Sequence, residues 1–75
     1  MTPLSKVSEK HQVRLSEMRL EESLCARLVA MGLSEGSVVT VLRNRSGDVV
    51  LAKGRARVSL SRQVAAALYA QPIVA

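Results

Sequence analysis

The chain carries one thiol, Cys25, and one imidazole, His11. These are the natural ligands for a transition-metal ion, yet a firm site needs three or four converging donors. Two scattered ligands with no carboxylate placed between them make a weak one. One His also leaves too little material for a Ser/His/Asp triad. No P-loop and no GxGxxG is present, so nothing points to a bound nucleotide. These residues therefore offer no catalytic set, no cofactor motif and no metal cluster. Cys25 reads as a small apolar filler on a helix, and His11 as a partly exposed residue at a strand start.

The chemistry that remains is charge. Arg43, Arg45, Lys53, Arg55 and Arg57 crowd one stretch of the chain. Residues 1–36 hold five basic and five acidic groups, a net of zero, whereas residues 37–75 hold six basic groups and only Asp48. The whole formal charge of +5 therefore sits in the second half. Strand parity places Arg43 with Arg45 on one side and Arg55 with Arg57 on one side. The group reads either as a solvated edge guarded by charge or as a docking patch for an acidic or phosphate-bearing partner. Non-specific attraction to nucleic acid follows from charge alone. Single-strand binders on small barrels, however, stack bases on aromatics, and here there is one Tyr with no Phe or Trp. The same lack argues against recognition of proline motifs.

The elements that must position these groups are short. His11, Val13 and Leu15 alternate with Gln12 and Arg14, which predicts a strand over 11–15. Leu20, Leu24, Leu28 and Met31 form one stripe of a helix over 20–31, with Glu21 and Glu22 in its first turn. Gly32 stands where a left-handed residue ends a helix, and Leu33 would then pair with Leu28 as in a Schellman turn. Ser34-Glu35-Gly36 turns the chain, with Gly36 as the turn glycine. Strands follow at 37–43, 49–52 and 55–60, joined by a loop at 44–48 and a tight turn at Lys53-Gly54. In the third of these, Ala56, Val58 and Leu60 read inward. Ser61 caps a short helix through Leu68, with Val64 and Leu68 one turn apart, and Ile73-Val74 close as a last strand. Five short strands in a chain this small must curl to hide their edges, which predicts a partly open barrel.

At 75 residues the chain is one domain, residues 1–75, with no room for a deep substrate cavity. Apolar residues make up 48%, nearly all Val, Leu and Ala. No apolar run approaches the ~18 residues of a membrane span. No charged lead and apolar core of a secretory signal is visible, and a lone cysteine suits a reducing compartment. The expectation is a cytoplasmic protein without direct membrane insertion.

The run from Arg27 to Val41, Arg-Leu-Val-Ala-Met-Gly-Leu-Ser-Glu-Gly-Ser-Val-Val-Thr-Val, resembles the "RL..MGL..G..V.V" signature of the FeoA family. These are small accessory proteins of bacterial ferrous iron uptake. Leu4-Ser5 with Val13-Arg14-Leu15 is similar to the family's opening strand region. Gly54-Arg55-Ala56-Arg57-Val58-Ser59-Leu60-Ser61-Arg62 is similar to its "G..ialr" strand. The likeness extends over residues 4–74. The chain departs from it at Ser8-Glu9, and at Ser34-Glu35-Gly36, where many members have Pro-Gly.

The resemblance implies a mostly-β fold with short helices: an SH3-like, partly open β-barrel with a helical insertion between its first and second strands. It implies a non-enzymatic adaptor, peripheral to the inner membrane through its partner. That partner would be FeoB, a membrane ferrous iron transporter with a cytoplasmic G domain. The candidate contacts are an apolar lip at Met31 and Leu33 and the basic residues Arg43, Arg45, Arg55 and Arg57. Two alternatives stay open: a regulatory module binding nucleic acid, and a metal-sensing barrel like the C-terminal domain of DtxR-type regulators. Homo-oligomerisation also stays open.

Overall fold

The computed structural model describes residues 1–73. Six strands, β1 (Thr2–Pro3), β2 (Gln12–Met18), β3 (Val38–Arg43), β4 (Val49–Lys53), β5 (Ala56–Leu60) and β6 (Leu68–Pro72), form one antiparallel sheet in the order β1-β6-β2-β3-β4-β5. A 3₁₀ turn at Leu4–Lys6 follows β1, α1 (Glu22–Ala30) links β2 to β3, and α2 (Arg62–Ala66) links β5 to β6. The helical insertion thus falls between the first two of the strands legible in the sequence.

Alternation builds the core. Val13 and Leu15 on β2, Val39 and Val41 on β3, Val49 and Leu51 on β4, and Val58 and Leu60 on β5 are all buried, as period-two strands require. Leu4 from the 3₁₀ turn, Leu28 from α1, Leu33 from the loop after it and Leu68 from β6 complete it. Every member of this core is Leu, Val or Ala. It is filled by branched aliphatics, which suit a tightly curved small sheet.

The end of α1 follows the glycine logic. Gly32 has φ of +91°, its N–H donates to the Val29 carbonyl at 2.9 Å, and Leu33 N–H donates to the Leu28 carbonyl at 2.8 Å. That is a Schellman cap, with Leu28 and Leu33 as its buried apolar pair. Lys53 Nζ reaches across from β4 to the Gly32 carbonyl, placing a cation at the negative end of the helix. Gly36, at φ +93°, is the third residue of a turn closed by Ser37 N–H on the Ser34 carbonyl at 3.0 Å.

Several sequence expectations need correction. β1 is too short to show a period, and it raises the strand count from five to six. The helix ends at Ala30, and Met31 is half exposed instead of continuing the buried stripe. The second helix stops at Ala66, and Leu68 begins β6 instead of ending the helix. The last strand is therefore 68–72, not Ile73-Val74; Val74 lies outside the described residues. Ala56 is exposed, because it directly follows the two-residue turn at the tip of the β4–β5 hairpin.

Candidate docking surface

Two β-bulges shape the sheet, and one decides the surface. Val41 pairs with Leu51, yet the next residue pair is Arg43 with Val50, so Leu42 is the extra residue. Without it, Arg43 would keep the parity of Val39 and Val41 and point into the core. The bulge turns Arg43 to the outer face, opposite Val50. There it meets Arg57, which stands on β5 opposite Ala52. Two adjoining hollows, of about 270 and 300 Å³, share Arg43, Arg45 and Val50 in their walls, and the smaller is completed by Leu42, Arg57 and Glu9.

The loop beside this groove is locked by one side chain. Asn44 Nδ2 donates to the carbonyls of Ser5, at 2.9 Å, and Val7, at 2.8 Å. Its Oδ1 accepts from the Arg62 guanidinium, which also donates to the carbonyls of Ser5 and Gly47. Its backbone N–H donates to Glu9 Oε2 at 2.7 Å. Glu9 in turn pairs with Arg45 at 3.3 Å. The Asn44 N–H bond first, then the charges of Arg45 and Arg43, hold the Glu9 carboxyl below the usual carboxylate value. One network therefore ties the N-terminal loop, the β3–β4 loop and the start of α2 to the rim of the groove.

Of the predicted contact residues, the structure gathers Arg43, Arg45 and Arg57 around one groove. Arg55 sits apart, at the tip of the β4–β5 hairpin, and Arg45 lies in the loop after β3. The parity argument that paired 43 with 45 and 55 with 57 does not apply to residues outside strands. Arg43, Arg55 and Arg57 form no salt bridge among the described residues. Lys53 leaves the patch for its role at the end of α1. The apolar lip divides: Met31 is 50% exposed and Leu33 is fully buried, so Leu33 offers nothing to a partner. Val29, 53% exposed on the last turn of α1, is the outward neighbour that the helical stripe did not single out.

The remaining candidates stand alone. His11 is exposed, with Nδ1 3.3 Å from the Glu9 carbonyl. Cys25 is half-buried, and its thiol donates to the Leu20 carbonyl at 3.4 Å. Among the described residues no three His, Cys, Asp or Glu side chains converge on a point where an ion could sit. Tyr69, the one aromatic residue, lies in β6 under the Arg19 guanidinium, 4.3 Å from its ring centre, so that ring face is already occupied.

A small antiparallel sheet with two short helices and an all-aliphatic core is a mostly-β domain of the SH3-like class. Solved structures with this fold include an iron uptake regulatory protein, FeoA, at 21% identity, 96% coverage of both chains and a TM-score of 0.84. The FeoA protein of Chlorobium tepidum aligns at 17% identity over 97% of this chain and 71% of its own, with a TM-score of 0.85. A manganese-dependent transcriptional repressor aligns at 19% identity over 95% of this chain, with a TM-score of 0.85, but only 41% of the repressor is covered. No curated protein sequence matches the chain. The FeoA domain profile matches residues 2–72, and the chain belongs to the FeoA family. Among the described residues no helix is long and apolar enough to cross a membrane.

Proposed function

We propose that this chain is a non-enzymatic accessory protein of bacterial ferrous iron uptake, acting in the cytoplasm. In this reading it docks on the cytoplasmic part of a FeoB-type transporter and modulates it. The observation that carries the reading is the FeoA domain match, which takes up residues 2–72. The surface supports it. Arg43, Arg45 and Arg57 ring a shallow groove, and Met31 and Val29 stand exposed at the end of α1. The Lys53 bond to Gly32 joins the α1 end to the β4–β5 hairpin, so Met31 and Arg55 flank one contact. Cations steer association at long range, and exposed apolar side chains slow dissociation once docked.

The test is capture of the purified chain by the cytoplasmic domain of the transporter, read by surface plasmon resonance at two ionic strengths. Reversal of Arg43 and Arg57 to Glu lowers the on-rate and flattens its salt dependence. Met31→Ser raises the off-rate and leaves the salt response unchanged. No capture at low salt would overturn the reading. The likeness to the repressor favours one second reading, a metal-sensing regulatory module. Manganese- or iron-dependent binding to a regulator or its operator, with no capture by the transporter, is the outcome that selects it.

A further inference from the structure

The sheet has two edges, and they are treated differently. β1 is two residues long and contains Pro3, which has no N–H to offer, so that edge cannot template another strand. β5 runs five residues, Ala56 to Leu60, with no proline and a continuous register against β4. Gly54 and Arg55 form the two-residue turn before it, with Gly54 at φ +59° and Arg55 not in the left-handed region, the signature of a type II′ hairpin. In such a hairpin the closing pair, Lys53 with Ala56, exchanges both ladder bonds, and every second pair repeats the exchange. Ala56, Val58 and Leu60 therefore spend their backbone groups on β4, while the N–H and C=O of Arg57 and Ser59 face the open edge. Among the described residues no backbone or side-chain group outside β4 bonds to the backbone of β5.

We propose that this edge, at Arg57 and Ser59, accepts an acidic extended segment of a partner protein as a seventh strand of the sheet. The charge decides the occupant. Residues 53–62 carry Lys53, Arg55, Arg57 and Arg62 and no acidic group. Two copies paired through β5 would bring the exposed Arg55 and Arg57 of both together, and the nearby carboxylates are already engaged, Asp48 by the Ser59 hydroxyl and Glu9 by Arg45 and the Asn44 N–H, which opposes self-pairing. A strand with carboxylates on its outer face instead sets them beside Arg57, at the mouth of the groove that Arg43 and Arg45 line. The open backbone groups supply the ladder, and the arginines supply the choice of partner. The inference rests on the basic face being a docking surface. It does not rest on which protein docks there.

The test uses the ¹⁵N-labelled chain and a capped nine-residue peptide of alternating Glu and Val, followed by NMR and amide exchange. Binding protects the Arg57 and Ser59 amides by about tenfold or more, while Val58, already laddered, changes little. A peptide of alternating Lys and Val does not bind. A Glu/Val peptide N-methylated at alternate residues loses binding, whatever the protein variant. Ser59→Pro removes an edge N–H that no ladder uses, so the chain folds and fails to bind. Reversal of Arg55 and Arg57 to Glu weakens binding roughly tenfold at low salt. Binding that leaves the Arg57 and Ser59 amides exchanging at their free rate would reduce the site to diffuse charge and overturn the proposal. So would a peptide-free dimer with those amides protected, or no saturable shift at millimolar peptide. Transporter capture is a separate readout, so the edge and the identity of the partner fail independently.

Discussion

Asn44→Ala removes one small side chain and three hydrogen bonds. The Val7 carbonyl loses its donor, the Ser5 carbonyl keeps only Arg62, and the Arg62 guanidinium loses an acceptor. Two neutral bonds and one to a charged group are worth about 1 kcal/mol each or somewhat more, and water reaching this half-buried site recovers part of the loss. The expected net cost is about 2 kcal/mol. For a chain of 75 residues, an unfolding entropy of about 2.1 cal/mol/K per residue gives about 160 cal/mol/K in total, so the melting midpoint falls by about 12 °C. Thermal denaturation followed by circular dichroism reads this directly. Asn44→Asp is the control. It keeps an acceptor for Arg62 but turns an anion toward two carbonyls, and it melts no higher than the alanine variant. A midpoint within about 3 °C of the parent for Asn44→Ala, or a parent-like Asn44→Asp, would show that the network is not what holds the two loops.

Gly32→Val forces a β-branched residue to a φ of +91°. It costs more than about 1 kcal/mol in a urea melt even though Lys53 leaves room for a Cβ, and an unchanged midpoint would refute the cap. Lys10 is the one non-glycine residue at positive φ, +71°, among those described. Lys10→Gly therefore raises stability by roughly 0.5 kcal/mol, and a lower melting temperature would contradict the strain. Glu9 titrates below its ordinary value when folded. Its contribution is present above the unfolded value and lost as pH falls through the folded one, so the stability gap between the parent and Glu9→Gln closes on acidification. Urea melts at several pH values give that gap directly; one that widens toward acid would reverse the assignment.

What the sequence reveals is local. The Gly32 cap is legible because backbone demand at a helix end involves six consecutive residues, Leu28 to Leu33. The Ser61 cap is legible for the same reason; its hydroxyl accepts from Val64 N–H at 3.2 Å. The three-strand meander shows in its alternation and its Gly-bearing connections. The Asn44 network is invisible because its partners, Ser5, Val7 and Arg62, are far along the chain, and an Asn in a loop looks like any turn residue. The Leu42 bulge hides for another reason: Val-Leu-Arg continues an ordinary alternation, and only the pairing with β4 reveals the extra residue. Leu33 reads from the sequence as part of the lip beside Met31, yet the Schellman geometry legible in the same residues drives it into the core.

The position of β6 has a consequence for how the chain assembles. It lies between β1 and β2, so the last strand made joins the first two. Thr2 pairs with Ala70 and Leu15 with Ala70's other side, whereas β3, β4 and β5 close through short connections. Contacts between neighbours in sequence form early, and distant pairings must first meet the entropy of closing a long loop. Loop closure therefore favours the meander forming ahead of the rest. Until residues 68–72 leave the ribosome, β1 has no strand to pair with, and Leu4 waits in water for its place in the core. A chain cut after Ala67 would lose Leu68 and Ala70 from the core together with the seam that joins its beginning to its end.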